Sequence, residues 1–232
     1  MIIAIDGTSG SGKSTLAKKL AKTLGYGFFS AGDLYRTITL KALTLSIKDD
    51  EDDKLQYLID HTEIIYTYDG KNNIMLLDGI DVMNKLRTEE ISTNVAKYSC
   101  KPYIREFVRK LQRETKLHNE NIVMEGRDIG SVIFPDADLK IYVDCQVGER
   151  AKRRFKDCSA DDPTLTYEQV LQALKDRDYK DMHREISPLI MCENAYLIDT
   201  SLTPADECME MILREMLRRE LITKDQIKTE EE

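Results

Sequence analysis

A glycine-rich segment near the amino terminus holds the residues of this chain that are best suited to chemistry. Gly7 and Gly12 bracket a turn that continues into Lys13 and Ser14, with the spacing G-x-x-x-x-G-K-S/T. An apolar run precedes the turn and a helical pattern follows it. Glycines in this context let backbone N–H groups turn inward around a phosphate, and the helix N-terminus adds its positive dipole. The segment therefore predicts a site for a nucleoside triphosphate.

We call residues 7–15 the phosphate loop. Its predicted triphosphate contacts are Gly7, Thr8, Ser9, Gly10, Ser11, Gly12, Lys13, Ser14 and Thr15.

Oxygen-bearing side chains indicate where a magnesium ion would enter with the triphosphate. Lys13 can reach the β- and γ-phosphates, and the Ser14 hydroxyl can bind Mg²⁺. Glu125 ends a short apolar run that reads as a buried strand. An acid at that place helps to hold the ion, usually through a water molecule. We expect Mg²⁺ as the cofactor, with Ser14 as a ligand and Glu125 as an indirect one.

Two further clusters combine arginine with aspartate. Arg127 and Asp128 stand among glycines directly after the strand that ends in Glu125, although a surface ion pair would give the same pattern. Arg177, Asp181 and Arg184 are spaced i, i+4, i+7, which predicts that they share one face of a helix. An exposed helix stabilised by Asp/Arg pairs is the alternative for this second cluster.

A third cluster consists of cations alone. Arg150, Arg153 and Arg154 lie within two turns of a predicted helix. By itself this pattern suits a solvated helix face as well as a functional one. Beside a triphosphate it indicates a clamp, because arginine binds phosphate through two hydrogen bonds and keeps its charge.

The inventory of side chains favours phosphoryl transfer to a small phosphorylated acceptor. The sequence contains three histidines, far apart, and no Ser/His/Asp or Cys/His arrangement. A nucleoside monophosphate needs no catalytic base, because it is already an ionised nucleophile near pH 7. The barrier is mainly the repulsion between two polyanions, which a lysine, Mg²⁺ and several arginines reduce by positioning and electrostatic stabilisation.

Composition excludes several other classes of protein. The 232 residues are 41% hydrophobic and 33% charged, and the net charge is −8. An acidic chain of this kind argues against broad binding to nucleic acid or anionic membranes. Five scattered cysteines without a C-x-x-C pair suit a reducing compartment, and no stretch approaches the ~20 apolar residues of a membrane span. We expect a cytoplasmic protein.

Apolar runs alternate with helical patterns, which predicts an α/β fold with a five-stranded parallel sheet covered by helices on both faces. The predicted strands are residues 2–6, 27–30, 122–125, 139–143 and 196–199. Ligands of such sheets gather at the carboxyl ends of the strands. Residues 63–82 differ, because two β-rich runs flank a turn and predict a small antiparallel insert. The acidic run 49–53 predicts a solvated loop.

Further motifs lie between these elements, and the whole set covers nearly the full chain, from Ile2 to about Met216. They are Gly-x-Leu-Tyr-Arg at 32–36, Leu-Arg-Thr-Glu-Glu-Ile-Ser at 86–92, Glu-Gly-Arg-Asp-Ile-Gly at 125–130, Phe-Pro-Asp-Ala at 134–137, Glu-Arg-Ala-Lys-Arg-Arg at 149–154 and Lys-Asp-Arg-Asp at 175–178. Together with the phosphate loop they resemble the bacterial-type cytidylate kinases. These are P-loop nucleoside monophosphate kinases that convert CMP and dCMP to their diphosphates with ATP.

The resemblance implies a role for each matching residue. The implied contacts of the acceptor phosphate are Arg36, Arg127 and Arg184. Those of the cytosine are Arg105 and Asp128, and those of the ribose are Arg177 and Asp181. Arg150, Arg153 and Arg154 would belong to a lid, with Arg153 on ATP. The residues expected to act in catalysis are Lys13, Arg127, Arg150 and Arg154.

The resemblance also implies a domain layout. One kinase domain would span residues 1–224, with a three-layer core of 1–60 and 86–224. The insert at 61–85 would lie on the monophosphate side, the lid would occupy about 150–166, and 225–232 would be a charged, disordered tail. We expect a monomer whose partners are ATP and CMP or dCMP, with no nucleic acid or membrane.

Two positions depart from the family pattern. Ala31 stands where the family usually has a hydroxyl residue, and Ala96 stands where it has serine. Each lost hydrogen bond of this kind costs about 0.5–1.5 kcal/mol, which would loosen the choice of base. Two alternatives are therefore kept: a kinase for UMP, AMP or another small acceptor, and a nucleotide-regulated binding protein that transfers no phosphate.

Overall fold

The computed structural model describes residues 1–69, 71–158 and 164–228. The chain forms two compact units: Met1–Gly25 with Val123–Glu232, and Tyr26–Ile122. We call them the first and the second unit. None of the helices in the described residues combines the length and the apolar character that a membrane crossing requires.

The main sheet has five strands in the order β2-β6-β1-β7-β8, and β1 pairs with β7, and β7 with β8, in parallel. The strands of the chain are β1 (Ile2–Gly7), β2 (Gly27–Ser30), β3 (Ile64–Tyr68), β4 (Asn73–Leu77), β5 (Ile80–Asp81), β6 (Ile122–Gly126), β7 (Leu139–Asp144) and β8 (Tyr196–Asp199). The predicted five-stranded α/β sheet is confirmed, and each of its strands agrees with the prediction to within one residue. Every residue of β1 is buried, as expected for a strand that is covered on both faces.

The helices that the structure describes are α1 (Lys13–Leu24), α2 (Ala31–Thr44), α3 (Asp52–Asp60), α4 (Glu89–Ser99), α5 (Pro102–Thr115), α6 (Val147–Cys158), α7 (Tyr167–His183) and α8 (Ala205–Arg218). Short 3₁₀ turns also occur, and a single π-helical turn spans Ile129–Ile133.

The acidic run 49–53 is only partly the solvated loop that its charge predicts. Asp52 and Asp53 form the first turn of α3, where carboxylates are favoured by the positive end of the helix dipole. Leu55, Leu58 and Ile59 then bury the inner face of this helix. The prediction was wrong from Asp52 onward because acidic residues begin helices as readily as they fill loops.

The predicted antiparallel insert is present in the second unit. Strands β3, β4 and β5 form a three-stranded sheet, and Tyr66 lies opposite Met75 in the β3–β4 pair. Burial alternates along β3: Ile64 and Tyr66 are buried, whereas Ile65 is exposed. Alternation of this kind is typical of a sheet that covers a core with one face. The turn between β3 and β4 contains residue 70, which lies outside the described residues.

Helices α6 and α7 of the first unit pack together around a small apolar cluster. Its buried members are Ala151, Val170 and Leu174, and Phe155 and Tyr167 lie against them. Helix α6 carries residues 150–158 of the predicted lid of residues 150–166, and α7 begins directly after the lid. Residues 159–163 of the lid lie outside the described residues. Of the predicted charged tail, residues 229–232 also lie outside. Its described part begins in a 3₁₀ turn, and the Lys228 N–H donates to the Thr23 carbonyl at 2.9 Å.

Gly7 joins the main sheet to the phosphate loop, and its place requires glycine. The residue lies opposite Val143 of β7 and has a φ of 154°. A Cβ atom at this position would lie 2.0 Å from the Val143 carbonyl oxygen. Any side chain would therefore force β1 away from β7.

We expect Gly7→Ala to lower the free energy of unfolding by at least about 2 kcal/mol, because the clash is with backbone that cannot move aside. Gly79→Ala is the matched control: Gly79 has a φ of 80°, but a Cβ there would meet nothing within 4 Å. Only conformational strain of about 1 kcal/mol should appear in the control. Urea unfolding of both variants measures the difference, and equal losses would contradict the argument.

Candidate active site

The phosphate loop follows β1 and leads directly into α1. Gly10 and Gly12 have φ angles of 78° and 86°, which L side chains rarely adopt. Inside the loop the Thr8 carbonyl accepts hydrogen bonds from the Ser11 hydroxyl at 3.0 Å and from Lys13 Nζ at 3.1 Å. These bonds close the loop on itself and keep its backbone turned.

The ends of neighbouring strands hold this loop from outside. Asp144, the last residue of β7, accepts a hydrogen bond from the Thr8 hydroxyl at 3.4 Å. Thr200, which follows β8, donates its hydroxyl to the Ser11 carbonyl at 2.8 Å. Two side chains at the ends of neighbouring strands therefore fix the loop at two points.

Arg150 gives the loop a third attachment. Its side chain is buried in the first turns of α6 and donates to the carbonyl oxygens of Ser9 and Cys145 at 2.9 and 2.8 Å. Its remaining nitrogen lies 2.6 Å from the Asp178 carboxylate, which also accepts the Ser9 N–H at 3.4 Å. Arg150 thus binds the Ser9 carbonyl, and Asp178 binds the Ser9 N–H.

The other two cations of the predicted lid are exposed. Arg153 donates to the Thr200 carbonyl at 2.5 Å, so it stands beside the loop that follows β8. Arg154 lies on the exposed side of α6. The three arginines that the sequence groups together therefore differ in the structure. Arg150 is buried and hydrogen-bonded to the phosphate loop, whereas Arg153 and Arg154 are exposed.

Lys13 is buried and lies 3.9 Å from the Glu125 carboxylate. Burial lowers the pKa of Lys13 to about 7, and the nearby cations Arg127 and Arg177 act in the same direction. The carboxylates of Glu125 and Asp181 oppose this shift. An incoming phosphate would raise the pKa of Lys13 again, because its negative charge favours the ammonium form.

Arg127, Asp181 and Arg184 meet in the first unit. Arg127 Nε donates to the Asp181 carboxylate at 2.8 Å. Arg184 lies 3.9 Å from the other oxygen of that carboxylate and 3.7 Å from the Asp128 carboxylate. Two guanidinium groups therefore flank one aspartate, an arrangement that can present several N–H donors to an anion. Arg177 stands on the same helix, α7, and its charge reaches Lys13.

The sequence predicts that Arg177, Asp181 and Arg184 share one face of a helix, and this prediction is wrong for Arg184. Helix α7 ends at His183, and Arg184 has an extended backbone with a ψ of 142°. Ser187 with a φ of 53° and the following Pro188 turn the chain back, and Arg184 Nε donates to the Ser187 carbonyl at 2.5 Å. Arg184 thus reaches Asp181 from the residue after the helix, because its extended backbone ends α7 and the chain turns back at Ser187.

Asp6 is a site residue to which sequence reasoning assigned no role. The buried carboxylate accepts the backbone N–H groups of Ile129 and Gly130 at 2.9 and 2.7 Å. These N–H groups follow Arg127 and Asp128 directly, so Asp6 fixes the segment that carries both residues. Burial raises the pKa of Asp6 to about 6. The signal available in the sequence was an acidic residue near the end of β1, immediately before the phosphate loop.

The second unit holds the two other predicted acceptor contacts. Arg36 stands on α2, with one guanidinium nitrogen 3.8 Å from the Asp33 carboxylate. The Arg105 guanidinium lies over the ring of Tyr35, 5.7 Å from its centroid. Of the two positions that depart from the family pattern, Ala31 is buried in the first turn of α2 and Ala96 is exposed on α4.

Ser14 and Glu125 suit magnesium by their chemistry. The Ser14 hydroxyl is exposed in the first turn of α1, and Glu125 is a buried carboxylate at the end of β6. Among the described residues, no cluster of three or more His, Cys, Asp or Glu side chains could hold a metal ion alone. Mg²⁺ commonly binds through one or two protein oxygens together with substrate phosphates and waters, which fits this small donor set.

A cavity of about 500 Å³ opens beside the phosphate loop in the first unit. Its lining includes Lys13, Ser14, Arg153, Thr200 and Pro204. The cavity therefore extends from the phosphate loop to the loop that precedes α8.

Comparison with known proteins gives the family of the site. The family model described as cytidylate kinase matches residues 3–218. The cytidylate kinase of Caldicellulosiruptor saccharolyticus is 39% identical over 211 residues, 91% of this chain and 93% of that protein. The cytidylate kinase of Caldanaerobacter subterraneus subsp. tengcongensis is 40% identical over 210 residues, 90% of this chain and 92% of that protein.

Solved structures agree on the architecture. A crystal structure of a Thermus thermophilus protein aligns with a TM-score of 0.50 and 18% identity, covering 96% of this chain and 98% of the other. A crystal structure of an uncharacterised protein from Eubacterium ventriosum gives the same TM-score with 16% identity, covering 93% of this chain and 98% of that one. At these identities the likeness concerns the fold alone.

The buried carboxyl of Asp6 makes a prediction about pH. Its pKa rises from an ordinary value of 3.8 to about 6, so the folded protein holds this proton more tightly than the unfolded chain. The contribution of Asp6 to stability is therefore greatest below about pH 4 and declines as the pH rises to about 6. The decline amounts to about 3 kcal/mol, since one pKa unit corresponds to ~1.4 kcal/mol.

Asp6→Asn removes this titration and keeps one oxygen acceptor for the two N–H groups. Urea unfolding of wild type and variant, at intervals from about pH 4 to pH 7, gives the difference in their free energies of unfolding. We expect wild type to lose about 3 kcal/mol relative to the variant across that range. A difference that is constant with pH would contradict the assignment.

Proposed function

This chain belongs to the cytidylate kinase family, and from that premise we propose that it transfers the γ-phosphoryl group of ATP to CMP and dCMP, giving CDP and dCDP. The observation that carries the proposal is the meeting of Arg127, Asp181 and Arg184 in the unit that holds the phosphate loop. The charges of Arg127 and Asp181 reach Lys13 there. The proposed donor cation, Lys13, and the proposed acceptor cations are therefore close enough to interact electrostatically. Phosphoryl transfer between two polyanions requires such a grouping of positive charge.

The phosphate loop binds the donor. Its backbone N–H groups and the N-terminus of α1 surround the triphosphate, and the Lys13 ammonium stabilises the β- and γ-phosphates. Asp144, Thr200 and Arg150 hold the loop in place, so its donors need little reorganisation when the ligand arrives. Mg²⁺, held by Ser14 and through water by Glu125, would neutralise part of the charge on the triphosphate.

The cavity beside the loop accommodates the nucleoside part of ATP. Thr200, Pro204 and Ala205 form an uncharged part of its lining, next to the proposed phosphate-binding residues, and Asp157 also lines the cavity. Arg153 lies at the same cavity, within reach of the donor phosphates, which supports its predicted role on ATP.

Arg127 and Arg184 bind the acceptor phosphate. Asp181 balances one of the two positive charges of Arg127 and Arg184. The two arginines can therefore lie close together in the absence of an anion and still carry a net positive charge that attracts a phosphate. Asp181 and Arg177 of α7 are the proposed contacts of the ribose, and Asp128 is that of the cytosine. In the second unit, Arg36 and Arg105 remain proposed contacts of the acceptor phosphate and the cytosine.

Arg150 has a different role in this proposal from the one that the sequence suggests. Its donors serve the Ser9 and Cys145 carbonyls and the Asp178 carboxylate, so it acts on the phosphates by fixing the loop. Exposed Arg154 keeps the proposed role of a lid cation. The lid of residues 150–166, the single domain of 1–224, the monomeric state and the cytoplasmic location stay predictions.

An acceptor panel tests the proposed function. With ATP and Mg²⁺, we expect CMP and dCMP to give faster ADP formation than UMP or AMP, because the charged contacts of the family are present. Ala31 and Ala96 remove hydroxyls, so discrimination should be weaker by roughly threefold to tenfold for each lost hydrogen bond. Equal rates with AMP or UMP would overturn the choice of acceptor. ATP hydrolysis without any acceptor dependence would instead favour a nucleotide-regulated binding protein.

Lys13→Met tests the donor side. We expect kcat to fall by about 100-fold or more, because one preorganised cation at the transferring phosphate is lost. The fold should survive, since methionine fills a similar volume and the buried Glu125 carboxylate loses only a cation 3.9 Å away, a distance too long for a hydrogen bond. Lys18→Met, on the exposed face of α1, is the matched control. Circular dichroism and CMP-dependent turnover of both variants decide, and near-normal turnover of Lys13→Met would refute the assigned role.

A further inference from the structure

The hydroxyl of Tyr66, a buried residue of the antiparallel insert, makes three hydrogen bonds inside the second unit. It accepts from the Ser30 N–H and from Asn73 Nδ2, both at 3.1 Å, and it donates to the Asp33 carboxylate at 3.2 Å. A phenolic hydroxyl has one proton and two lone pairs, so these bonds use its full capacity. Burial also raises the pKa of Tyr66, so its hydroxyl stays protonated and can donate the hydrogen bond to Asp33.

The ring of Tyr66 is fixed as firmly as its hydroxyl. It meets Phe29 of β2 edge to face, with 4.9 Å between the ring centroids. Asn73, its partner on β4, also donates to the Phe28 carbonyl. Tyr66 and Asn73 thereby attach the insert to the residues that lead into α2.

Asp33 is almost fully buried in the first turn of α2, and its second oxygen faces two arginines. Arg87 donates to that oxygen at 2.6 Å, and Arg36 lies 3.8 Å from it. The shorter contact makes Arg87 the main counter-ion of Asp33. Arg36 lies too far from that oxygen for a hydrogen bond, so the charge of Asp33 attracts its guanidinium without neutralising it.

The Arg36 guanidinium also lies close to the helix backbone. A Cβ atom on Gly32 would stand 2.7 Å from one of its nitrogens, so the glycine leaves the space that the guanidinium occupies. One nitrogen of Arg36 therefore lies close to both the Asp33 carboxylate and the backbone at Gly32, in the first turns of α2. Ala31, in the same turn, has no hydroxyl to contribute.

We propose that Tyr66 is a positioning residue for the acceptor phosphate, and that it acts through Asp33 on Arg36. The inference rests on the proposed function in one respect, that Arg36 binds the phosphate of a nucleoside monophosphate. The insert then does more than cover the unit, because one hydroxyl on β3 fixes the carboxylate that orients a substrate-binding cation. Without the hydroxyl, Asp33 keeps its charge but loses one of the bonds that set its rotamer.

Tyr66→Phe tests the proposal with the loss of a single oxygen atom. We expect the KM for CMP to rise by roughly threefold to tenfold, while the KM for ATP stays within about twofold. Inhibition by cytidine, which has no phosphate, should not change. A merely structural role would weaken CMP and cytidine together. Tyr57→Phe is the matched control, because Tyr57 is an exposed tyrosine of the same unit, on α3.

An Arg36→Met background tests the route. If Tyr66 acts through Arg36, Tyr66→Phe will raise the KM for CMP no further in that background. An undiminished effect would overturn the proposal, as would an unchanged KM for CMP in the single variant. If Tyr66→Phe does not fold, Asp33→Asn replaces it, with the same rise in the KM for CMP and the same absence of effect on cytidine expected.

The outcomes also separate this inference from the proposed function. Wild type that turns over CMP, with Tyr66→Phe equal to it, contradicts the role of Tyr66 alone. Wild type that prefers another nucleoside monophosphate contradicts the choice of CMP. The series is then measured with the preferred monophosphate and its free nucleoside, where the same phosphate-dependent loss is expected.

Discussion

The donor site depends on one constraint: the backbone donors of the phosphate loop must point to a common centre before any ligand arrives. Glycines permit that conformation but do not impose it, because they are equally free to adopt others. Three hydrogen bonds impose it: the Thr8 hydroxyl donates to Asp144, and Thr200 and Arg150 donate to the Ser11 and Ser9 carbonyls. The cost of ordering the loop is thus met during folding, and the triphosphate meets an organised site.

A second constraint comes from charge. Cations gathered for phosphates repel one another, and each unit places a carboxylate between them. Asp181 lies between Arg127 and Arg184 in the first unit, and Asp33 lies beside Arg36 and Arg87 in the second. A carboxylate in this position lowers the repulsion while it leaves a net positive charge for an anion. Lys13 shows what happens where the balance is incomplete, since burial and its cationic neighbours lower its pKa.

Most of the fold was predictable because periodicity reports burial directly. The five strands, the helices between them and the antiparallel insert follow from apolar patterns that only such elements can bury. The beginning of α3 was not predictable in this way, because Asp52 and Asp53 suit a helix N-terminus and a loop equally. Arg184 was placed on a helix that ends one residue earlier, at His183. Spacing alone does not report where a chain turns back.

The sequence by itself determined the class of chemistry, since the phosphate-loop spacing and the surplus of arginines over catalytic bases permit little besides phosphoryl transfer. The tertiary structure decided what each charged residue does. Arg150, Arg153 and Arg154 are alike in sequence, yet Arg150 is buried against the Ser9 carbonyl. Asp6 and Tyr66 acquire roles only through partners more than 30 residues away. Local patterns record which face is buried, whereas the partner of a buried polar group depends on how distant strands come together.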